Sequence, residues 1–119
     1  MKTTAPMTNH KGPFLRAVSG GTAYDGLGYW CPGCEEMHVV AIVRKTPGPA
    51  WSFNGNVEKP TFAPSVKVTA MRPDPFICHH YVRDGTIQFL SDCSHKLKGD
   101  TVPMVELSTL GMFRDYPEE

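Results

Sequence analysis

A chain of 119 residues with 12 basic and 12 acidic side chains has the length of one domain and no electrostatic footprint for DNA or RNA. Its hydrophobic content of 40% excludes a disordered chain, and no apolar run approaches the ~20 residues that span a bilayer. Gly 11 and Pro 11, spread along the chain, predict many turns rather than one linker.

Residues 1–13 are polar, contain Pro6 and Pro13, and read as a flexible tail. They hold no apolar stretch of the kind a signal peptide needs, so the expected location is the cytoplasm, where thiols stay reduced. Residues 14–110 read as a single domain and residues 111–119 as a loose acidic tail. Gly20-Gly21 and Gly26-Leu27-Gly28 read as turns. Met37 to Val43 is rich in Val and Ile and predicts a buried strand, which Thr46-Pro47-Gly48-Pro49 ends. Trp51-Ser52-Phe53 alternates and meets Asn54-Gly55, a tight hairpin signal. Pro60 and Pro64 frame Thr61-Phe62-Ala63 as an edge or irregular crossing. Trp51, Phe53 and Phe62 read as core anchors, because no basic charge is interleaved to make them a base-stacking platform. Val66 to Thr69 alternates like a strand.

The clearest hairpin runs from Phe76 to Leu90 about an Asp84-Gly85 turn of type I′. That turn sets Arg83 opposite Thr86, Val82 opposite Ile87, His80 opposite Phe89 and Cys78 opposite Ser91. Ser91-Asp92 predicts a capped helical turn over Cys93 to Leu97. Val102 to Leu107 reads as a last strand interrupted at Pro103. The fold class that follows is mainly β: a small sandwich or roll of about six short strands with few helical turns.

Four cysteines in a reducing compartment point to metal or redox chemistry. Cys31-Pro32-Gly33-Cys34 has the spacing of a zinc knuckle, with both thiolates in reach of one tetrahedral ion, and Gly33 reads as the residue that supplies a positive φ. Cys78-His79-His80 and Cys93-Ser94-His95 supply the second half. Continued hairpin pairing puts Cys78 and Cys93 diagonally on one face with His80, and His79 on the other. The simplest set is Cys31, Cys34, Cys78 and Cys93. His79, His95 or His38 can replace one thiolate, and His38 can instead orient a ligand from outside. The surplus of donors allows an open polar site of His79, Asp92 and His95 beside the metal. Inert core cysteines are the plainer alternative. Trp30-Cys31-Pro32-Gly33-Cys34 also looks like a thioredoxin-type motif, but the Val-rich stretch behind it makes poor helix. Glu35-Glu36 reads as surface charge. No phosphate loop, Gly-x-Ser-x-Gly elbow or His-Glu-x-x-His is present.

Three strings together resemble a small family of bacteriophage and prophage proteins. They are Tyr29-Trp30-Cys31-Pro32-Gly33-Cys34 with His38, Trp51 to Ser65, and Cys78-His79 with Asp84 to His95. The resemblance covers about Tyr29 to Met104. It implies phage origin and zinc binding, makes His80 peripheral, and favours His79 and His95 over Cys93 as ligands. Some relatives accompany genes for bacterial ubiquitin-like conjugation. The label ammonia monooxygenase, common for such proteins, finds no membrane segment or copper site here.

On these grounds the expected function is a phage-encoded zinc-binding accessory protein that binds a host protein, for example to blunt a defence system. The alternatives are a zinc-dependent hydrolase or nuclease-like enzyme, and a nucleic-acid-binding zinc module, which the neutral charge argues against.

Overall fold

The computed structural model describes residues 10–71 and 75–110. Two antiparallel sheets form a mainly β sandwich. In the first, β1 (His10–Lys11), β2 (Leu15–Ser19), β3 (Tyr24–Cys31) and β4 (Glu36–Arg44) lie in chain order. In the second, β5 (Ser52–Phe53), β6 (Phe62–Met71), β7 (Pro75–Arg83), β8 (Thr86–Phe89) and β9 (Thr101–Pro103) do the same. Each strand pairs with its sequence neighbour, so both sheets are meanders built from short connections. A 3-10 turn at Leu107–Thr109 is the one helical element among the described residues. The strand total exceeds about six because β1, β5 and β9 are only two or three residues long.

The core is the space between the sheets. Leu15, Tyr29, Cys31 and Val40 from the first sheet meet Phe62, Val66, Cys78, Val82, Ile87 and Phe89 from the second. The Tyr29 ring stacks on Phe62 with centroids 5.8 Å apart. Inward and outward residues alternate along β8 and through most of β7, as a half-buried strand requires. The strand expected at Met37 to Val43 forms within β4, an edge strand that buries Val40 and Ala41 and leaves Val39 42% and Val43 55% exposed.

Local glycine chemistry decides several departures from expectation. Gly26 and Gly28 lie inside β3 rather than in a turn. A Cβ on Gly26 would stand 2.5 Å from the Val40 carbonyl oxygen, at a point where the β3–β4 register shifts. Glycine there permits a bulge with close backbone approach. Asn54-Gly55 does not make a two-residue hairpin, since β5 pairs with β6 at Phe53↔Phe62. The Asn54 side chain accepts from the N–H groups of Asn56 and Thr61, and Asn56 accepts from Glu58 and Lys59, so side-chain bonds organise a wide loop.

Asp84-Gly85 does form the tight turn, with φ of 53° and 79°. The pairs Arg83↔Thr86, Val82↔Ile87 and His80↔Phe89 follow as expected. Beyond Phe89 the pairing with β7 ends, so Ser91 does not oppose Cys78. Residues 91–99 form turns and bends, not a helix. Val102 to Leu107 is a strand only as far as Pro103. Of the expected tails, His10–Lys11 is a strand paired with β2, while residues 1–9 and 111–119 lie outside the described residues. No helix among the described residues is long and apolar enough to cross a membrane.

A β-branched residue at Gly85 must adopt the positive φ of 79° and bring its Cβ to 3.3 Å from Lys59 Cα. Gly85→Val should therefore lower the stability by about 1–3 kcal/mol in urea denaturation. Thr86→Val, which keeps the turn, should change it by less than about 1 kcal/mol.

Candidate functional site

Cys31 ends β3, Cys34 closes the turn after it, Cys78 points inward from β7, and His95 lies in the turns after β8. One ligand atom from each of these four lies within 4.8 Å of the others. The Sγ atoms of Cys31 and Cys78 are 3.8 Å apart, and His95 Nε2 is 3.4 Å from Cys78 Sγ. Cys31, Cys78 and His95 are buried, and none of the four cysteines is in a disulfide. Gly33 is needed here, although not for a positive φ. That conformation falls on Glu35, with φ 57°, while a Cβ on Gly33 would come within 2.2 Å of the His95 ring. The glycine is the gap through which the imidazole reaches the knuckle.

The donor set fits a metal ion. A hydrogen bond with Cys78 pulls the Cys31 thiol down to about 3. Burial, then the charge on Cys31, pushes Cys34 up to about 12. Cys78 is pushed far up, first by its hydrogen bond with Cys31 and then by burial. Crowded and buried together, the three thiols oppose one another's ionisation. A bound divalent ion removes that conflict, because it coordinates thiolates.

A second layer surrounds these donors. His80 is fully buried rather than peripheral. Tyr29 Oη and His80 Nε2 share a hydrogen bond at 2.7 Å, and His80 Nδ1 and Cys78 Sγ share one at 3.3 Å, so one ring nitrogen donates and the other accepts. Burial holds His80 down at about 4, so the ring is neutral and can play both parts. His38 is 4% exposed and stacks on His80 at 5.6 Å. It forms a second group with Cys34 and Glu36, and its buried Nε2 has no hydrogen-bond partner.

Two of the residues expected as metal donors point elsewhere. Cys93 is outside the group of four: its Sγ accepts from the His79 backbone N–H at 3.3 Å and donates to the His79 carbonyl at 3.1 Å. His79 faces the opposite side of the sheet from Cys78. There the Ser65 hydroxyl donates to His79 Nε2 at 3.2 Å, and His79 Nδ1–H donates to the Asp92 carboxylate at 3.1 Å.

Ser65 comes to His79 through an irregularity in β6. Between the pairs Phe62↔Val82 and Val66↔His80, β6 advances four residues while β7 advances two. Ser65 then sits diagonally from His79, next to the Lys67↔His79 pair on the outer face. The Trp51 indole N–H donates to the Ser65 carbonyl at 3.1 Å and holds the segment. Sequence reading grouped His79 with Asp92 but omitted Ser65, the residue that completes a Ser–His–Asp arrangement. The only local signal for it was the pair of prolines that marked residues 60–64 as irregular.

Residues 3–90 match a protein family described as bacterial ubiquitination-like system serine protease (BubE). The chain belongs to the BubE family. No curated protein and no solved structure matches it significantly. The stretch matched to BubE contains Ser65, His79, Cys31, Cys34 and Cys78, and stops just short of Asp92, Cys93 and His95. Of the features implied by the sequence resemblance, the setting of ubiquitin-like conjugation is the one that the BubE description shares.

The purified BubE-family chain should carry one metal ion, read by elemental analysis. Gly33→Ala should weaken metal retention against a chromogenic chelator by about tenfold or more, although no donor is changed. Undiminished retention in that variant would place the ion away from His95.

Proposed function

We propose that this chain is a serine-type protease whose nucleophile is Ser65, whose general base is His79 and whose orienting carboxylate is Asp92. The observation that carries this reading is one imidazole held at both nitrogens, by a serine hydroxyl at 3.2 Å and a carboxylate at 3.1 Å. That is the working geometry of acyl-transfer triads on unrelated folds. The family description supports it independently, since it names a serine protease.

The chemistry follows from the protons. His79 Nε2 takes the Ser65 proton as Oγ attacks a carbonyl carbon, and the imidazolium so formed is stabilised through Nδ1–H by Asp92. The same proton then passes to the leaving amine, and a water molecule repeats the sequence to free the acyl group. The three side chains lie on the outer face of the second sheet, with His79 25% and Asp92 45% exposed. An open face suits a protein segment better than a small molecule, which needs a concave pocket. The ubiquitination-like system in the family description suggests that this segment belongs to a ubiquitin-like protein or its conjugate.

Cys31, Cys34, Cys78 and His95 are read as a structural zinc site. Four protein donors leave no open position for a reacting water, which favours a structural ion over the zinc-hydrolase alternative. When bound, the zinc supplies cross-linking energy to a small domain. Four cysteines outside any disulfide support a cytoplasmic setting. The expectation of a non-enzymatic protein that binds a host factor rested on small size, neutral charge, a closed metal site and the absence of a catalytic motif. A triad drawn from three separate segments leaves no motif to find.

A fluorophosphonate probe tests the assignment, because it reacts covalently with an activated serine. Ser65 is the expected site of attachment by peptide mapping. Ser65→Ala should abolish labelling, and His79→Ala should slow it by at least about 10³-fold. Attachment at a different serine, or none in the unaltered chain, would sink the reading.

A further inference from the structure

β7 stays paired with β6 through His79 but loses its regular partner on the β8 side there. Its pairing with β8 ends at His80↔Phe89, yet the chain after Phe89 continues alongside β7. Leu90 N–H donates to the His79 carbonyl at 2.9 Å. Ser94 N–H donates to the Ile77 carbonyl at 2.8 Å, and Ile77 N–H returns a bond to Ser94 Oγ at 2.9 Å. Between these two fastenings lies Cys93, only 5% exposed. Its thiol takes both backbone polar groups of His79, accepting at 3.3 Å and donating at 3.1 Å. A side chain does here what a strand backbone would do, and it does so at the residue that carries the imidazole. Asp92, which grips the other end of that imidazole, is the residue immediately before Cys93.

We propose that Cys93 is a positioning residue for the Ser65–His79–Asp92 triad and not a metal ligand. The inference rests on the triad reading. The thiol fixes the His79 backbone and, through the adjacent peptide, the place of Asp92, so that Nδ1 and carboxylate stay within hydrogen-bond distance. Without it, the part-buried N–H of His79 has no acceptor on that side, and the 91–94 turn loses its central attachment to β7.

The two readings of a buried cysteine make opposite forecasts. If Cys93 is only a small apolar core residue, valine should replace it at least as well as serine, because buried serine adds a hydroxyl to an apolar site. If it positions the triad, serine should serve, because a hydroxyl can donate to the His79 carbonyl and accept from its N–H. The experiment compares Cys93→Ser, Cys93→Val and Cys93→Ala in the full chain. It measures the rate of fluorophosphonate attachment to Ser65 and the number of metal ions per chain.

Cys93→Ser should stay within about threefold of the unaltered rate. Cys93→Val should fall by about tenfold or more, with the metal content unchanged. Cys93→Ala should behave like valine, and it covers the case in which valine is too large for the turn. On a peptide substrate the loss should appear in kcat, with KM little changed. Equal rates for the serine and valine variants would overturn the proposal, as would loss of the metal from both the valine and alanine variants. Failure to label Ser65 in the unaltered chain would overturn the triad reading itself, and this inference with it.

Discussion

The strict alternation of side chains along β7 is the constraint on which both sites depend. Cys78 and His80 turn inward to the space between the sheets, and His79 turns outward. One strand therefore supplies a thiol of the candidate metal site, the imidazole beside it and the histidine of a Ser–His–Asp arrangement from three consecutive residues. Neither site could move by one position without exchanging its residues with the other. The type I′ turn at Asp84-Gly85 anchors that register a few residues away.

The inner site also explains how a domain of 119 residues holds two small sheets together. Cys31 and Cys34 come from the first sheet and its following turn, Cys78 and His95 from the second sheet and its following turns. An ion bound among them would be a cross-link at the sandwich's centre, where a small hydrophobic core is short of stabilising area. Tyr29, His80 and Cys78 form a continuous chain of hydrogen bonds. Such a chain orients the thiolate as outer partners do in metal sites generally.

The outer site is assembled differently. Ser65 belongs to an irregular part of β6, His79 to the middle of β7, and Asp92 to a turn outside regular pairing. In the proposed triad, irregular segments would carry the nucleophile and the carboxylate, and a regular strand the base. Function often divides in this way between loops and the scaffold that places them. The same turns send Asp92 outward and His95 inward, so residues 92–95 join the two sites on the second sheet as β7 does.

Much of this was legible in the chain itself. The Asp-Gly turn, the register as far as Phe89, the mainly β class and the Cys-x-x-Cys knuckle are local features, decided by backbone sterics and short spacing. The alternation also told, correctly, that His79 and Cys78 face opposite ways. Tertiary structure decided the rest. It substituted His95 for Cys93 near Cys31, Cys34 and Cys78, because the chain leaves regular pairing after Phe89 and the parity argument then no longer applies. It made Gly33 necessary for the approach of an imidazole from far along the chain, not for its own φ. It brought Ser65 to His79 by a register shift in β6. Residues that meet only across strands have no fixed spacing in sequence, so their partnership exists only once the sheet is built.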